Sequence, residues 1–171
     1  MKTKVILTLF VVFILGVTSS AYAQLIAGSP EEKAYTRIEG EQNPDARIAL
    51  LLQFEKDFPQ SRVLPDIYTM LMSIYQDKRD TAKAIDFGER VIKLDGENLT
   101  ALLAVSRNLA IERKQIDKAI AYAQKAVETV TKLRTQPPPP QYTSEEQWKG
   151  YLDSMDQAAK SMLAYARSLK S

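Results

Sequence analysis

Two places in this chain set a short polar residue directly before proline at the head of an apolar-periodic stretch, Ser29-Pro30 and Asn43-Pro44. Such a side chain accepts from the free N–H groups of a helix's first turn, and a proline beside it gives up only a donor that has no partner inside the helix. The stops are as plain: Gly40, Pro59, Asp95-Gly96 and the four prolines Pro137–Pro140. Between starts and stops apolar residues return every three or four positions, and no stretch has the alternation of a half-buried strand. Such stripes are buried only by packing helix on helix, so the expected fold class is all-α.

Six helices are expected before the prolines. The first opens at Pro30, carries Ala34, Tyr35 and Ile38, and has Glu32 placed to reach back to the Ser29 cap. The second runs through Ile48, Leu51, Leu52 and Phe54 to about Phe58, where Pro59 ends it. The third starts around Leu64-Pro65-Asp66 with Ile67, Leu71, Ile74 and Tyr75 inward. Asp80 or Thr81 caps the fourth, whose inward residues are Ala84, Phe87, Gly88, Val91 and Ile92. Glycine inside a helix costs about 1 kcal/mol relative to alanine, so Gly88 points to a close helix approach. Asn98 opens the fifth, with Leu102, Val105 and Leu109, and a break near Lys114-Gln115 leads to the sixth. Its stripe of Ile116, Ala119, Ile120, Ala123, Val127, Val130 and Leu133 is the cleanest in the chain.

Residues 135–143 read as a linker, because four successive prolines supply no amide protons and restrict the residues before them. In polyproline geometry they form a stiff spacer of about 12 Å; a ligand site for another protein is the sharper alternative. Residues 144–171 then form an amphipathic helix, capped by Thr143 or Ser144 with Glu146 or Gln147. Trp148, Tyr151, Leu152, Met155, Ala159, Met162, Leu163, Ala166 and Leu169 share one side of it, and such a stripe must pack on something.

Residues 1–23 read as a bacterial export signal: Lys2 and Lys4, an apolar core from Val5 to Val17, and the small-x-small cleavage pattern Ala21-Tyr22-Ala23. The mature chain is then expected to start at Gln24 and to be periplasmic or secreted, with no stable membrane insertion. Of 23 basic residues the leader takes two and no acid, so 21 bases face 21 acids in the remainder. That balance gives no electrostatic case for nucleic acid or an anionic membrane as partner. Cysteine and histidine are both absent. Nucleophile–imidazole catalysis, the usual zinc sites and histidine-held haem are thereby excluded, and neither enzyme activity nor a cofactor is expected.

Ile48, Ile85 and Ile120 anchor an internal period with separations of 37 and 35 residues. The segments Lys83-Ala84-Ile85-Asp86-Phe87 and Lys118-Ala119-Ile120-Ala121-Tyr122 share Lys-Ala-Ile-x-aromatic. On these residues the chain, from about Pro30 to Leu133, resembles the tetratricopeptide repeat family, whose two-helix unit has about 34 residues. The unit from Pro65 to Asn98 matches best, with Tyr68, Leu71 and Tyr75 on its first helix and Ala84 and Gly88 on its second. Met72, Gly96, Arg47, Arg107 and Ala110 depart from the family pattern.

The resemblance implies a right-handed α-solenoid of about three helix-turn-helix units over residues 24–134, closed by the 144–171 helix as a cap. It also implies a scaffold that holds a peptide or helix of an envelope or secreted partner in a concave groove lined by the first helix of each unit. The family frame directs Glu32, Thr36 and Glu39, then Asp66, Thr69, Ser73 and Gln76, then Ala104, Asn108 and Ile111 toward that groove. The lining is polar and mildly acidic, which suits a partner segment of some basic character. A different class of function, a helical carrier of an apolar ligand or a lipid-surface binder, would make the last helix a mobile lid.

Overall fold

A computed structural model describes residues 25–170. The proposed export signal, 1–23, lies outside them. The described residues form seven α-helices and no strand: α1 Pro30–Gly40, α2 Pro44–Asp57, α3 Leu64–Asp77, α4 Thr81–Leu94, α5 Leu99–Ile111, α6 Ile116–Leu133 and α7 Glu145–Ser168. The protein is all-α over this span, as its cap and stop signals require.

Five helices begin with a side-chain cap. Ser29 Oγ accepts from Glu32 N–H at 3.1 Å, Asn43 Oδ1 from Asp45 and Ala46 at 3.0 Å each, and Asp80 Oδ1 from Lys83 at 3.1 Å. Asn98 Oδ1 accepts from Ala101 at 3.0 Å and Ser144 Oγ from Gln147 at 3.2 Å. Glu32 does not close back on Ser29, whose N–H donates to Ile26 O; its carboxylate accepts from the Gly28 N–H, one residue earlier. Likewise Gln147 Oε1 accepts from the Thr143 N–H and hydroxyl. Leu52, expected inward, is 39% exposed, because Leu51 and Phe54 already fill the buried stripe of α2.

Each helix packs on its neighbour in the chain, and α7 also reaches back to α5. The turn that closes α3 recurs 34 residues later at the end of α5. Asp80 N–H donates to Tyr75 O at 2.9 Å and Lys114 N–H to Leu109 O at 3.1 Å, with Arg79 and Arg113 at φ 59° and 51°. Left-handed backbone costs a non-glycine residue roughly 1–2 kcal/mol, so the same strained turn in two places is one hairpin geometry used twice. Arg90–Glu55 and Lys132–Glu97 join residues 35 apart at 2.9 and 2.6 Å, while Lys78–Asp45 and Tyr122–Glu89 join residues 33 apart at 2.8 and 3.5 Å. These four contacts thus share a separation of 33 to 35 residues along the chain.

Inside, the largest apolar cluster joins α1 to α4 through Tyr35, Leu51, Phe54, Ile67, Leu71, Met72 and Phe87, with Ala101 of α5 closing it. Gly88 sits where α4 meets α5: a Cβ there would lie 2.3 Å from Val105 Cγ2. The Ser106 hydroxyl, fully buried, donates to Ala119 O at 2.7 Å and ties α5 to α6.

The prolines do not hold α7 away from the body. Pro139 O accepts from the Tyr142 N–H at 2.9 Å, and the Tyr142 ring lies 4.7 Å from that of Trp148. The chain turns back, and α7 runs against α6 with Arg134–Asp153 (2.7 Å) at one end and Lys170–Asp117 at the other. Trp148, 7% exposed, lies in one apolar cluster with Leu99, Leu102 and Val130, so the sole tryptophan is a core residue.

Candidate functional site

The ten residues directed to a groove fall on one stripe each of α1, α3 and α5, as the spacing of three and four residues along a helix requires. Their environments differ. On α1, Glu32 is engaged at the helix start: its carboxylate accepts from Gly28 N–H at 3.3 Å and from the Thr36 hydroxyl at 3.4 Å. Glu39 is half-buried.

On α3 the stripe is less satisfied. The Thr69 hydroxyl donates to Pro65 O at 2.8 Å and is used within its own helix. Asp66, by contrast, is half-buried with no cation beside it among the described residues, and burial alone holds its carboxyl above the usual carboxylate range. Gln76, a few turns on, has its Nε2 buried with no acceptor there. Ser73 lies between them, partly exposed. Buried polar groups are normally hydrogen-bonded, and one left without a partner costs about 1–3 kcal/mol. Of the two, the half-buried Asp66 is within a partner's reach, whereas Gln76 Nε2 is enclosed by the chain itself.

On α5 the outcome is split. Ile111 is 59% exposed, one of the most open large apolar side chains described, whereas Asn108 is 7% exposed and is no surface lining residue. Its Nδ2 also lacks an acceptor among the described residues. Ala104 is partly buried against the first core cluster. Asn108 was legible as polar but not as buried, since α5 is packed by α4, α6 and α7 together, which no local pattern reports.

The opposite polarity holds where α2, α4 and α6 carry charge. Glu55 accepts from Arg90 at 2.9 Å and from the Tyr68 hydroxyl at 2.8 Å, and burial together with that carboxylate pushes the Tyr68 phenol up. Lys118 pairs with Glu89, whose hydrogen bond raises the Lys118 ammonium. These groups are mutually satisfied and offer little to a ligand.

Arg47, noted only as a departure from a family pattern, is a polar residue that sequence reasoning missed. Its Nη2 lies 3.6 Å from Met70 Sδ and its Nε is buried without an acceptor. An open cleft of about 410 Å³ lies between α1 and α2, lined by Arg37, Gly40, Glu41, Ala46, Ala49 and Leu50. None of the predicted groove residues lines it. Among the described residues no group of three or more acids could hold a metal ion, and no helix is long and apolar enough to cross a membrane.

No protein-family model matches the sequence, and no curated protein matches it.

Proposed function

We propose that the protein is a tetratricopeptide-like binding scaffold, a right-handed solenoid of three hairpins (α1–α2, α3–α4, α5–α6) followed by α7, exported to the bacterial periplasm or beyond. In this reading the first helices of the hairpins, α1, α3 and α5, form a concave face that holds a peptide or helix of another exported protein. The recurrence of one strained turn at an offset of 34 residues, and of polar contacts at 33 and 35, supports the stacking.

The observation that carries the function is the contrast between faces. Glu55 and Arg90, and Glu89 and Lys118, are paired across α2, α4 and α6, whereas α3 keeps the half-buried Asp66 desolvated without a cation. A partner with a cation would satisfy Asp66. Exposure of a paired surface costs nothing of that kind, so the unsatisfied face is the one that gains most from being covered.

A photocrosslinking residue at Ser73, compared with one at Lys93 on α4, tests this in the cell envelope. Adducts to one discrete protein from position 73, lost when Asp66→Asn and Gln76→Ala are introduced, are expected. Adducts from position 93 alone would reject the concave-face reading.

A further inference from the structure

On α7 the buried stripe Trp148, Leu152, Ala159 and Ala166 faces the body, and the two flanks of that stripe differ. One flank is tied to α6 by polar contacts: Arg134–Asp153, Arg167 Nη2 to Gln124 Oε1 at 3.3 Å, and Lys170–Asp117. The other carries Met155, Met162, Tyr165 and Leu169 and lies toward α5. Met155 packs against the cluster that holds Leu99 and Leu102 of α5, and Met162 and Leu169 against the one that holds Leu109 and Ala110. Ile111 and Tyr165, immediate chain neighbours of the buried pair Ala110 and Ala166, remain 59% and 47% exposed. Three residues before Ile111 stands Asn108, nine-tenths buried, with its Nδ2 lacking an acceptor among the described residues.

We propose that the binding face continues past the third hairpin onto α7, where Ile111, Met155, Met162 and Tyr165 receive bulky apolar side chains of a partner segment whose cationic end lies at Asp66. The proposal rests on the concave-face reading above and adds the composition of the partner. Charge complementarity fixes its polarity, since the unpaired Asp66 carboxylate lies on α3 and the exposed apolar groups lie on α5 and α7. Methionine, unbranched and polarisable, adapts to differently shaped apolar side chains, so α7 selects for apolar bulk more than for one residue type. An anionic lipid surface fits less well: the polar side of α7 mixes Asp153 and Asp156 with Lys160 and Arg167, and Asp66 would repel a phosphate. The final helix is thus cap and binding element at once.

Random-peptide display against residues 24–171, followed by anisotropy titration of the most enriched peptide, tests the assignment. Enriched peptides are expected to carry Lys or Arg at one end and two or more of Leu, Ile, Phe or Met at the other. Ile111→Ser with Tyr165→Ser, both exposed positions where folding is checked by circular dichroism, is expected to weaken Kd at least tenfold. Asp66→Asn is expected to weaken it and to flatten its salt dependence. A Kd within twofold of wild type in the Ile111/Tyr165 variant, with the Asp66 effect intact, overturns the α7 extension and leaves the concave face standing. Indifference to Asp66→Asn, Gln76→Ala and the double variant alike overturns both. No peptide enrichment, with binding to phosphatidylglycerol vesicles that the double variant abolishes, overturns the peptide partner in favour of a lipid surface.

Discussion

An alanine at position 88 would put a methyl carbon 2.3 Å from Val105 Cγ2 and 3.0 Å from Met72 Sδ. Carbon atoms rest about 3.5–4.0 Å apart, so more than an ångström must be found between α4 and α5, where Val105 and Met72 are 0% and 1% exposed. Methionine can swing aside, but a β-branched residue on a helix has one preferred rotamer. Overpacking costs about 1–3 kcal/mol, and the depth of this overlap selects the upper end. Alanine regains about 1 kcal/mol in helix propensity, which leaves a net loss of about 2 kcal/mol from Gly88→Ala. In a domain of this size that is a fall of roughly 4–8 °C in Tm. Gly150 supplies the control: it too lies within a helix, but nothing stands within 4 Å of its Cβ position. Gly150→Ala should therefore show the propensity gain alone, about 0.5–1 kcal/mol of added stability. Urea denaturation followed by far-ultraviolet circular dichroism reads both. In the double variant Gly88→Ala, Val105→Ala the new methyl enters space the valine leaves, so the loss should fall short of the summed single losses by at least about 0.5 kcal/mol. A Gly88→Ala protein as stable as wild type, or more so, would refute the close approach of α4 and α5.

Three further outcomes follow from the same packing. Trp148→Ala removes a buried indole from the cluster with Leu99, Leu102 and Val130 and should cost about 3–5 kcal/mol in urea denaturation; a loss under 1 kcal/mol would mean that α7 does not dock there. Tyr151 has its phenol pushed from 10.0 to about 12, first by burial and then by Tyr142. The folded state therefore favours the neutral ring, its contribution to stability is whole below pH 10 and is lost as pH rises toward 12, and Tyr151→Phe should flatten that part of the stability–pH curve. Asp66→Asn removes a desolvated charge with no cation beside it, so the free protein should become more stable at pH 7 while peptide binding weakens; thermal melts and anisotropy on one preparation check the two opposite signs.

The helices were legible because their signals are local. Ser29, Asn43, Asp80, Asn98 and Ser144 act within three residues of themselves, and each caps the helix expected of it. The start of α6 was found only by the break before it, since Gln115 makes no side-chain cap and takes a left-handed conformation. Gly88 carried tertiary information in one residue, because its helical cost needs a neighbour to justify it. The fate of Leu52 and Asn108 depended on which side of α2 and of α5 the neighbouring helices cover, and a stripe within one helix does not report that. The proline run shows the same limit: its stiffness was readable, but its reversal onto Trp148 depends on the aromatic contact of Tyr142. For the candidate site, residue types and helix faces came from the sequence, whereas the lack of partners at Asp66, Gln76 and Asn108 is a property of the packed chain.

An amide NMR titration of isotope-labelled residues 24–171 with the most enriched peptide tests the proposed binding face residue by residue. Shift changes should gather on α3 between Asp66 and Gln76, at Asn108 to Ile111, and along Met155 to Tyr165, with the amides of Glu55, Glu89 and Glu97 unmoved. Changes centred on those three glutamates, or spread evenly over all the described helices, would contradict the proposed partner face of α1, α3, α5 and α7.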